Sequence, residues 1–88
     1  MTPFEQYRKL TLQYPGSTPL IRVGDFYETF EEDAILVSRI CGLKTVTMKP
    51  AGKPEIKMVG FPASCLEANL SRLVRVGIRV SVVEYQGN

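Results

Sequence analysis

The chain has 88 residues, of which 44% are hydrophobic and 23% are charged, and its formal net charge is +2 at pH 7. This length and composition predict one small globular domain with a modest core, which excludes an intrinsically disordered chain. A net charge of +2 does not by itself indicate a nucleic-acid-binding protein, because DNA-binding modules usually carry a clear basic excess.

The chain opens with a predicted helix and strand. The helix begins with a capping box, in which Thr2 is followed three positions later by Glu5, and Pro3 occupies the first helical position, where a missing N–H costs nothing. Pro15 and the glycine after it end this helix. Residues 20–28 then predict a single extended strand.

A second helix follows the strand directly. Thr29 and Glu32 form another capping box, apolar residues recur at helical spacing, and Gly42 is suited to the left-handed conformation that ends helices. The three acidic residues 31–33 fall in its first turn. The helix dipole explains carboxylates at that place, so we do not expect a metal site or an acid/base pair there.

The second half predicts a hairpin, a third helix and a last strand. Residues 44–48 and 55–59 are short strands joined by a link rich in Pro and Gly. Ser64 and Glu67 form a third capping box at the start of the helix. Alternating apolar and polar residues over 78–85 predict the final strand.

The elements follow the order αβαββαβ in one domain over residues 1–88. This order predicts an α/β (α+β) fold, with a mixed β-sheet of about four strands flanked by three helices. A ferredoxin-like βαββαβ sandwich after a leading helix has the same element order. The sequence does not separate the two strand orders.

The residue types argue against catalysis and cofactor binding. The chain has no histidine, and Cys41 and Cys65 lack the CxxC spacing of zinc sites, so we expect two buried, reduced thiols and no metal. No nucleophile–base grouping occurs at a known spacing, and the Gly-Lys pair at Lys53 lacks the rest of a phosphate-binding loop. We therefore expect no catalytic residues, no enzyme activity and no cofactor.

The sequence also lacks signals for export or for a membrane. The first residues contain no basic region followed by an apolar run, and no stretch has the length that crosses a bilayer. We expect a cytoplasmic protein without a membrane partner.

The segment from Gly24 to Glu28 is the clearest candidate site. In an extended strand Phe26 and Glu28 project from one face and Tyr27 from the other. The same period of two places Arg22 on the face of Phe26, where we expect it to contact a DNA phosphate. A flat ring beside a carboxylate suits a probe that enters a stack of bases and hydrogen-bonds one of them. The alternative is that Phe26 is an ordinary core residue.

A basic hairpin follows. Four lysines and one glutamate lie between Lys44 and Lys57, and we expect Lys49 and Lys53 to contact DNA phosphates there. The alternative is an exposed edge hairpin whose lysines prevent aggregation.

Four ordered stretches resemble the N-terminal mismatch-recognition domain (domain I) of the MutS family of DNA mismatch-repair proteins. They are Thr2-Pro3 with Gln6-Tyr7 and Tyr14-Pro15; Arg22 to Phe30 with Glu32-Asp33-Ala34; Met58-Val59-Gly60-Phe61-Pro62; and Leu70-x-x-Leu73-Val74-x-x-Gly77 with Val80-x-Val82-x-Glu84-x-Gln86. The similarity spans nearly the whole chain.

The resemblance implies binding to double-stranded DNA that contains a mismatch or a small loop, together with other repair proteins as possible partners. The family's Phe-x-Glu pair falls on Phe26 and Glu28, which implies stacking by the ring and hydrogen bonding by the carboxyl group. Gly24, Asp25 and Tyr27 support this motif. Met58, Gly60 and Pro62 match a structural turn that leads into the third helix.

The chain departs from the family pattern in two respects. The basic run expected after the second strand is replaced by Val46 to Pro50, in which Lys49 is the nearest cation. The connector, clamp and ATPase domains are expected to be absent, so ATP and Mg²⁺ belong only to a longer MutS protein. The alternative hypothesis is that the chain is a protein-interaction module that kept the fold without DNA binding. It would use the Phe26 face or the helix with Arg72 and Arg75 to contact its partner.

Overall fold

The computed structural model describes residues 1–87 and contains three α-helices and five β-strands. In chain order these are α1 (Pro3–Gln13), β1 (Thr18–Val23), β2 (Phe26–Phe30), α2 (Glu31–Cys41), β3 (Val46–Met48), β4 (Ile56–Pro62), a 3₁₀ turn (Ala63–Cys65), α3 (Leu66–Arg75) and β5 (Val80–Glu84). The strands form one sheet in the order β3-β4-β2-β1-β5. β1 and β5 pair in parallel, and the other three pairs are antiparallel. The predicted mixed sheet flanked by three helices is confirmed.

The sheet has five strands because the segment predicted as one strand over 20–28 is a hairpin. Gly24 and Asp25 form its two-residue turn, with Val23 paired to Phe26 on either side. Gly24 adopts a φ of +61°, and Asp25 does not adopt a positive φ, as in the type II′ turns that suit hairpins. The ferredoxin-like alternative is wrong, because the elements after α1 follow the order ββαββαβ and not βαββαβ.

The helices cover both faces of the sheet. On the face that we call the α1 face, Tyr7 of α1 packs with a buried cluster of sheet residues, Ile21, Phe30 and Ile56. On the opposite face, the α2/α3 face, a second cluster joins both helices to the sheet: Leu20, Tyr27, Ala34, Val37, Val59, Phe61 and Leu73. Burial of these two apolar surfaces is the main favourable term in folding.

One of the three predicted capping boxes is confirmed. Glu5 N–H donates to Thr2 Oγ1 at 3.1 Å, and Thr2 N–H donates to Glu5 Oε1 at 2.7 Å. The hydrogen bond from the Thr2 backbone lowers the pKa of Glu5 below its ordinary value of 4.5. The boxes predicted at Thr29 and Ser64 are wrong, because α2 follows β2 without a loop and a 3₁₀ turn precedes α3.

Acidic residues at the junction of β2 and α2 accept hydrogen bonds from neighbouring elements. Glu31 has a φ of +52°, an unfavourable conformation for a residue other than glycine, and its Oε1 accepts a hydrogen bond of 2.9 Å from Lys57 N–H. Asp33 accepts hydrogen bonds from the hydroxyls of Tyr7 and Thr18, each at 2.7 Å. Burial and this carboxylate raise the pKa of Tyr7. These contacts tie α2 to α1, β1 and β4.

Exposure of the two thiols differs from the prediction. Both cysteines are free, but Cys65 is exposed and Cys41 is only half-buried. Cys65 ends the 3₁₀ turn instead of lying on the buried side of a helix. Burial raises the pKa of the Cys41 thiol. Within residues 1–87, no helix has the length and apolar character needed to cross a membrane.

Thr29 offers a test of the packing on the α2/α3 face. Its hydroxyl is fully buried and has no hydrogen-bond partner among residues 1–87. Thr29→Val should therefore raise the free energy of unfolding by about 1 kcal/mol, because an unsatisfied polar group is replaced by a methyl group of similar size. Urea denaturation measures the change, and Thr29→Ser, which keeps the hydroxyl but loses a methyl group, should be destabilised. Lower stability of the valine variant would contradict this assignment.

Candidate nucleic-acid interface

Phe26 stands at the exposed start of β2, directly after the hairpin turn. Its side chain is 49% exposed, and its neighbours across the sheet are Val23 of β1 and Pro62 of β4. The interpretation of Phe26 as a core residue is therefore wrong. A half-exposed aromatic ring at a strand end has both the apolar area and the access that stacking on a base requires.

Tyr27 projects from the opposite face and fixes the orientation of its neighbours. It is only 6% exposed, and its ring stacks on Phe61 with a centroid distance of 5.9 Å. Because successive strand residues alternate, burial of Tyr27 on the α2/α3 face forces Phe26 and Glu28 onto the α1 face. The predicted alternation of these three residues is confirmed.

Arg22 lies on the face of Tyr27, so its predicted position beside Phe26 is wrong. The hairpin pairs Arg22 with Tyr27, and directly paired residues share a face. The Arg22 guanidinium lies 5.8 Å from the centroid of the Tyr27 ring, and its Nε donates to the carbonyl oxygen of Gly24 at 3.1 Å. Arg22 thus stabilises the hairpin from behind, within the motif that carries Phe26.

Asp25 fixes the turn through its backbone. Its carbonyl oxygen accepts a hydrogen bond of 2.8 Å from Ala63 N–H, at the start of the 3₁₀ turn. The turn of the β1–β2 hairpin is therefore attached to the junction between β4 and α3. With the Arg22 contact to Gly24, this bond holds both turn residues, and so limits the movement of Phe26.

Glu28 is half-buried on the α1 face. It pairs with Ile21 of β1 and with Gly60 of β4. Burial raises the pKa of Glu28 above its ordinary value of 4.5, because the charged form loses contact with water. Glu28 also lines the edge of a cavity of about 780 Å³, whose other lining residues include Phe30, Met48, Lys53, Ile56 and Met58.

Met58, Gly60 and Pro62 are strand residues, so their prediction as a turn is wrong. They lie in β4 and pair in sequence with Phe30, Glu28 and Phe26. In both segments the paired residues alternate along the strand, Met-x-Gly-x-Pro in β4 and Phe-x-Glu-x-Phe in β2. This alternation is typical of strands and was the sequence signal that could have predicted the pairing. Sequence reasoning therefore missed that Gly60 and Pro62 border the candidate site.

The two lysines of the candidate site lie at the other end of β4. Lys49 and Lys53 are exposed in the loop that joins β4 at Ile56, whereas Phe26 pairs with Pro62. At about 3.4 Å per residue, these two ends of β4 are roughly 20 Å apart. Lys53 lines the same cavity as Glu28, so Lys53 borders the Glu28 side of the α1 face and not the Phe26 ring.

The remaining cations of the hairpin are dispersed. Lys57 Nζ donates to Thr47 Oγ1 at 3.1 Å. Lys57 alternates with Ile56 and Met58 along β4 and so projects toward the α2/α3 face. Lys44 lies before the first residue of β3. The local positive charge of the hairpin is therefore divided between both faces.

Comparison with known proteins identifies the family. The family model described as MutS domain I matches residues 2–88. The chain belongs to the MutS domain I family. The resemblance found in the four ordered stretches is thereby confirmed.

Curated relatives agree with this assignment. The chain is similar to proteins named DNA mismatch repair protein MutS from Cytophaga hutchinsonii (46% identity over 81 residues) and Flavobacterium psychrophilum (42% over 81 residues), each alignment covering 91% of this chain and 9% of the relative. The protein of that name from Phocaeicola vulgatus is 41% identical over 86 residues, or 96% of this chain and 10% of the relative. The chain thus spans about a tenth of the length of these relatives.

The raised pKa of Glu28 predicts a pH-dependent stability. The folded state holds the Glu28 proton more tightly than the unfolded state, so this group's contribution to stability is complete below pH 4.5 and is lost as pH rises through the folded pKa. Between those two values, the free energy of unfolding of the wild type relative to Glu28→Gln should increase as pH falls. Thermal melts at a series of pH values measure the difference.

Glu5 supplies a control of opposite sign. Its folded pKa is lowered, so its contribution is present above pH 4.5 and is lost as pH falls through the folded pKa. The wild type should lose stability relative to Glu5→Gln in that more acidic range. Identical pH profiles for the Glu28 and Glu5 comparisons would contradict the burial argument for Glu28.

Proposed function

We propose that this chain recognises mismatched or otherwise distorted duplex DNA in DNA mismatch repair, with Phe26 stacking on a base and Glu28 hydrogen-bonding it. The observation that carries the proposal is the exposed Phe26 ring on the same sheet face as Glu28, two residues along β2. Membership of the MutS domain I family and the names of the relatives support the same function.

Stacking by Phe26 selects weak points in a duplex. Insertion of a ring between base pairs costs a few kcal/mol of unstacking, and a mispaired or unpaired base has less stacking and pairing to lose. A mismatch also makes kinking easier, so recognition depends on deformability more than on the edges of particular bases. Both effects favour binding where the helix is already disturbed.

We call the Phe26 ring the wedge. A ring that inserts between base pairs needs a rigid support. Tyr27 is buried against Phe61, Arg22 contacts both the Tyr27 ring and the Gly24 carbonyl, and Ala63 holds Asp25. The contacts of Tyr27 and Arg22 lie on the sheet face opposite Phe26, and the Asp25 bond fixes the turn next to it. We therefore assign Gly24, Asp25, Tyr27 and Arg22 to the support of the wedge.

Both protonation states of the Glu28 carboxyl group contribute to selectivity for a displaced base. Its burial already favours the neutral form, and nearby phosphates would raise the pKa further, because a like charge disfavours ionisation. The neutral carboxyl group can donate a hydrogen bond to a displaced base, while the charged group accepts one. Against an intact duplex, where no base is displaced, the carboxylate is repelled by the backbone.

Lys49 and Lys53 would bind phosphates on the other side of the insertion point. Their separation from Phe26, set by the length of β4, places these contacts away from the kinked step. Contacts to the backbone fix register without reading sequence, and they weaken as salt displaces the protein. We assign recognition alone to this chain, so that any step driven by ATP and Mg²⁺ lies outside residues 1–88.

Phe26→Ala tests the wedge. Fluorescence anisotropy at low salt, with matched, G·T and unpaired-T duplexes, should show that the wild type prefers the two distorted duplexes. The substitution should reduce that preference by about 5- to 150-fold, since stacking of one base on an aromatic side chain is worth ~1–3 kcal/mol. Tyr14→Ala removes another half-exposed aromatic residue, at the end of α1, and should leave the preference unchanged. Equal affinity of the wild type for all three duplexes would refute the proposal.

The position of the lysines favours a second candidate, a protein-interaction module that uses the Phe26 face. Phe26 has Val23 and Pro62 as its neighbours across the sheet, and the basic loop joins the opposite end of β4. An apolar surface without adjacent cations is typical of a protein contact. Under this alternative, Lys49→Ala and Lys53→Ala would not weaken binding to any duplex, whereas the DNA function predicts weaker binding to all three and a smaller salt dependence.

A further inference from the structure

Gly60 has no conformational reason to be glycine. It lies in the middle of β4, and its φ is not in the left-handed region, whereas five other glycines have a positive φ. Glycine in a strand interior weakens the strand, because it has more conformational freedom to lose and no side chain to pack. Its presence there is unexplained by the backbone.

Packing within the domain does not require glycine at this position either. A Cβ atom at Gly60 would lie 3.4 Å from the Tyr27 carbonyl oxygen, 3.7 Å from Glu28 Cγ and 3.8 Å from Met58 Sδ, which are ordinary van der Waals contacts. The residue is exposed to solvent. The fold accommodates alanine here, so the reason for glycine lies outside the fold.

We propose that Gly60 is a positioning residue that keeps the Glu28 carboxyl group open to a displaced base. This inference rests on the proposed function and adds a determinant of mismatch selectivity to it. Gly60 pairs directly with Glu28 in the β2–β4 register, and paired residues share a face with their Cβ atoms about 5 Å apart. A branched side chain at position 60 would therefore stand beside the Glu28 carboxyl group and occupy the approach to it.

The effect on Phe26 should be smaller. Phe26 pairs with Pro62, two residues further along β4, and diagonal neighbours on one face are about 7 Å apart. A larger residue at position 60 thus obstructs the hydrogen-bonding group before it obstructs the ring. Mutation can therefore separate the effect of Gly60 on access to Glu28 from the effect of Phe26 on stacking.

The experiment compares Gly60→Ala and Gly60→Val with the wild type in the anisotropy assay with matched, G·T and unpaired-T duplexes. Gly60→Val should reduce the preference for the distorted duplexes by about tenfold, the fold-change that corresponds to one lost hydrogen bond. Gly60→Ala should have a smaller effect and should retain or raise the Tm of the wild type. Ala68→Val, an exposed change on α3 at the opposite face, should leave the preference unchanged.

A double-mutant cycle separates access to Glu28 from a general obstruction of DNA. In the Glu28→Ala background, Gly60→Val should reduce the preference no further, because the group that it blocks is already absent. A full tenfold effect in that background, or a wild-type preference in Gly60→Val, overturns the inference while leaving the wedge intact. If Gly60→Val lowers the Tm, Gly60→Ser replaces it in the cycle. A wild type without any preference overturns the proposed function and this inference together.

Discussion

The pairing of β2 between β1 and β4 is the constraint on which the candidate site depends. It buries Tyr27 against Phe61 and leaves Phe26 and Glu28 on the opposite face. A slip of one residue would exchange the faces, placing a carboxylate in the apolar core and exposing Tyr27. The free energy of burying Tyr27 thus stabilises the exposed position of Phe26, although the two side chains lie on different faces. Core packing and the geometry of the site are set by the same register.

The sequence was sufficient to predict this alternation but not the hairpin that contains it. The period of two over Phe26, Tyr27 and Glu28 depends only on local extended structure, and it is confirmed. The sequence does not reveal the turn at Gly24, because extended residues flank it on both sides and its glycine and aspartate also fit the binding motif. That single omission reversed the face assigned to Arg22 and lowered the strand count from five to four. A missed turn therefore changes the predicted sheet face of every residue on one side of it.

The capping boxes and the Met-x-Gly-x-Pro segment failed for a related reason. Thr2 and Glu5 face solvent at the start of α1, where local hydrogen bonds decide the conformation. Thr29 precedes Glu32 by the same interval, but it belongs to a buried strand that continues directly into α2, so tertiary packing overrides the local motif. Gly60 and Pro62 suggested a turn by composition, yet their partners across the sheet, Glu28 and Phe26, are 32 and 36 residues away in sequence. The local sequence around Gly60 does not reveal a partner strand that lies so far away in sequence.

The low net charge fits the proposed recognition of a rare structure in DNA. A strongly basic surface would bind every duplex through its phosphates, and this nonspecific affinity would exceed the few kcal/mol by which a mismatch eases stacking. In this chain the positive charge of the β3–β4 hairpin is divided between two faces, and a carboxyl group stands beside the wedge. In the proposed complex, weak attraction to the backbone and repulsion at Glu28 would both reduce binding to intact DNA. Under the proposed function, the difference in stacking between a paired and a mispaired base would then determine where the protein remains bound, so a residue that limits affinity would increase selectivity.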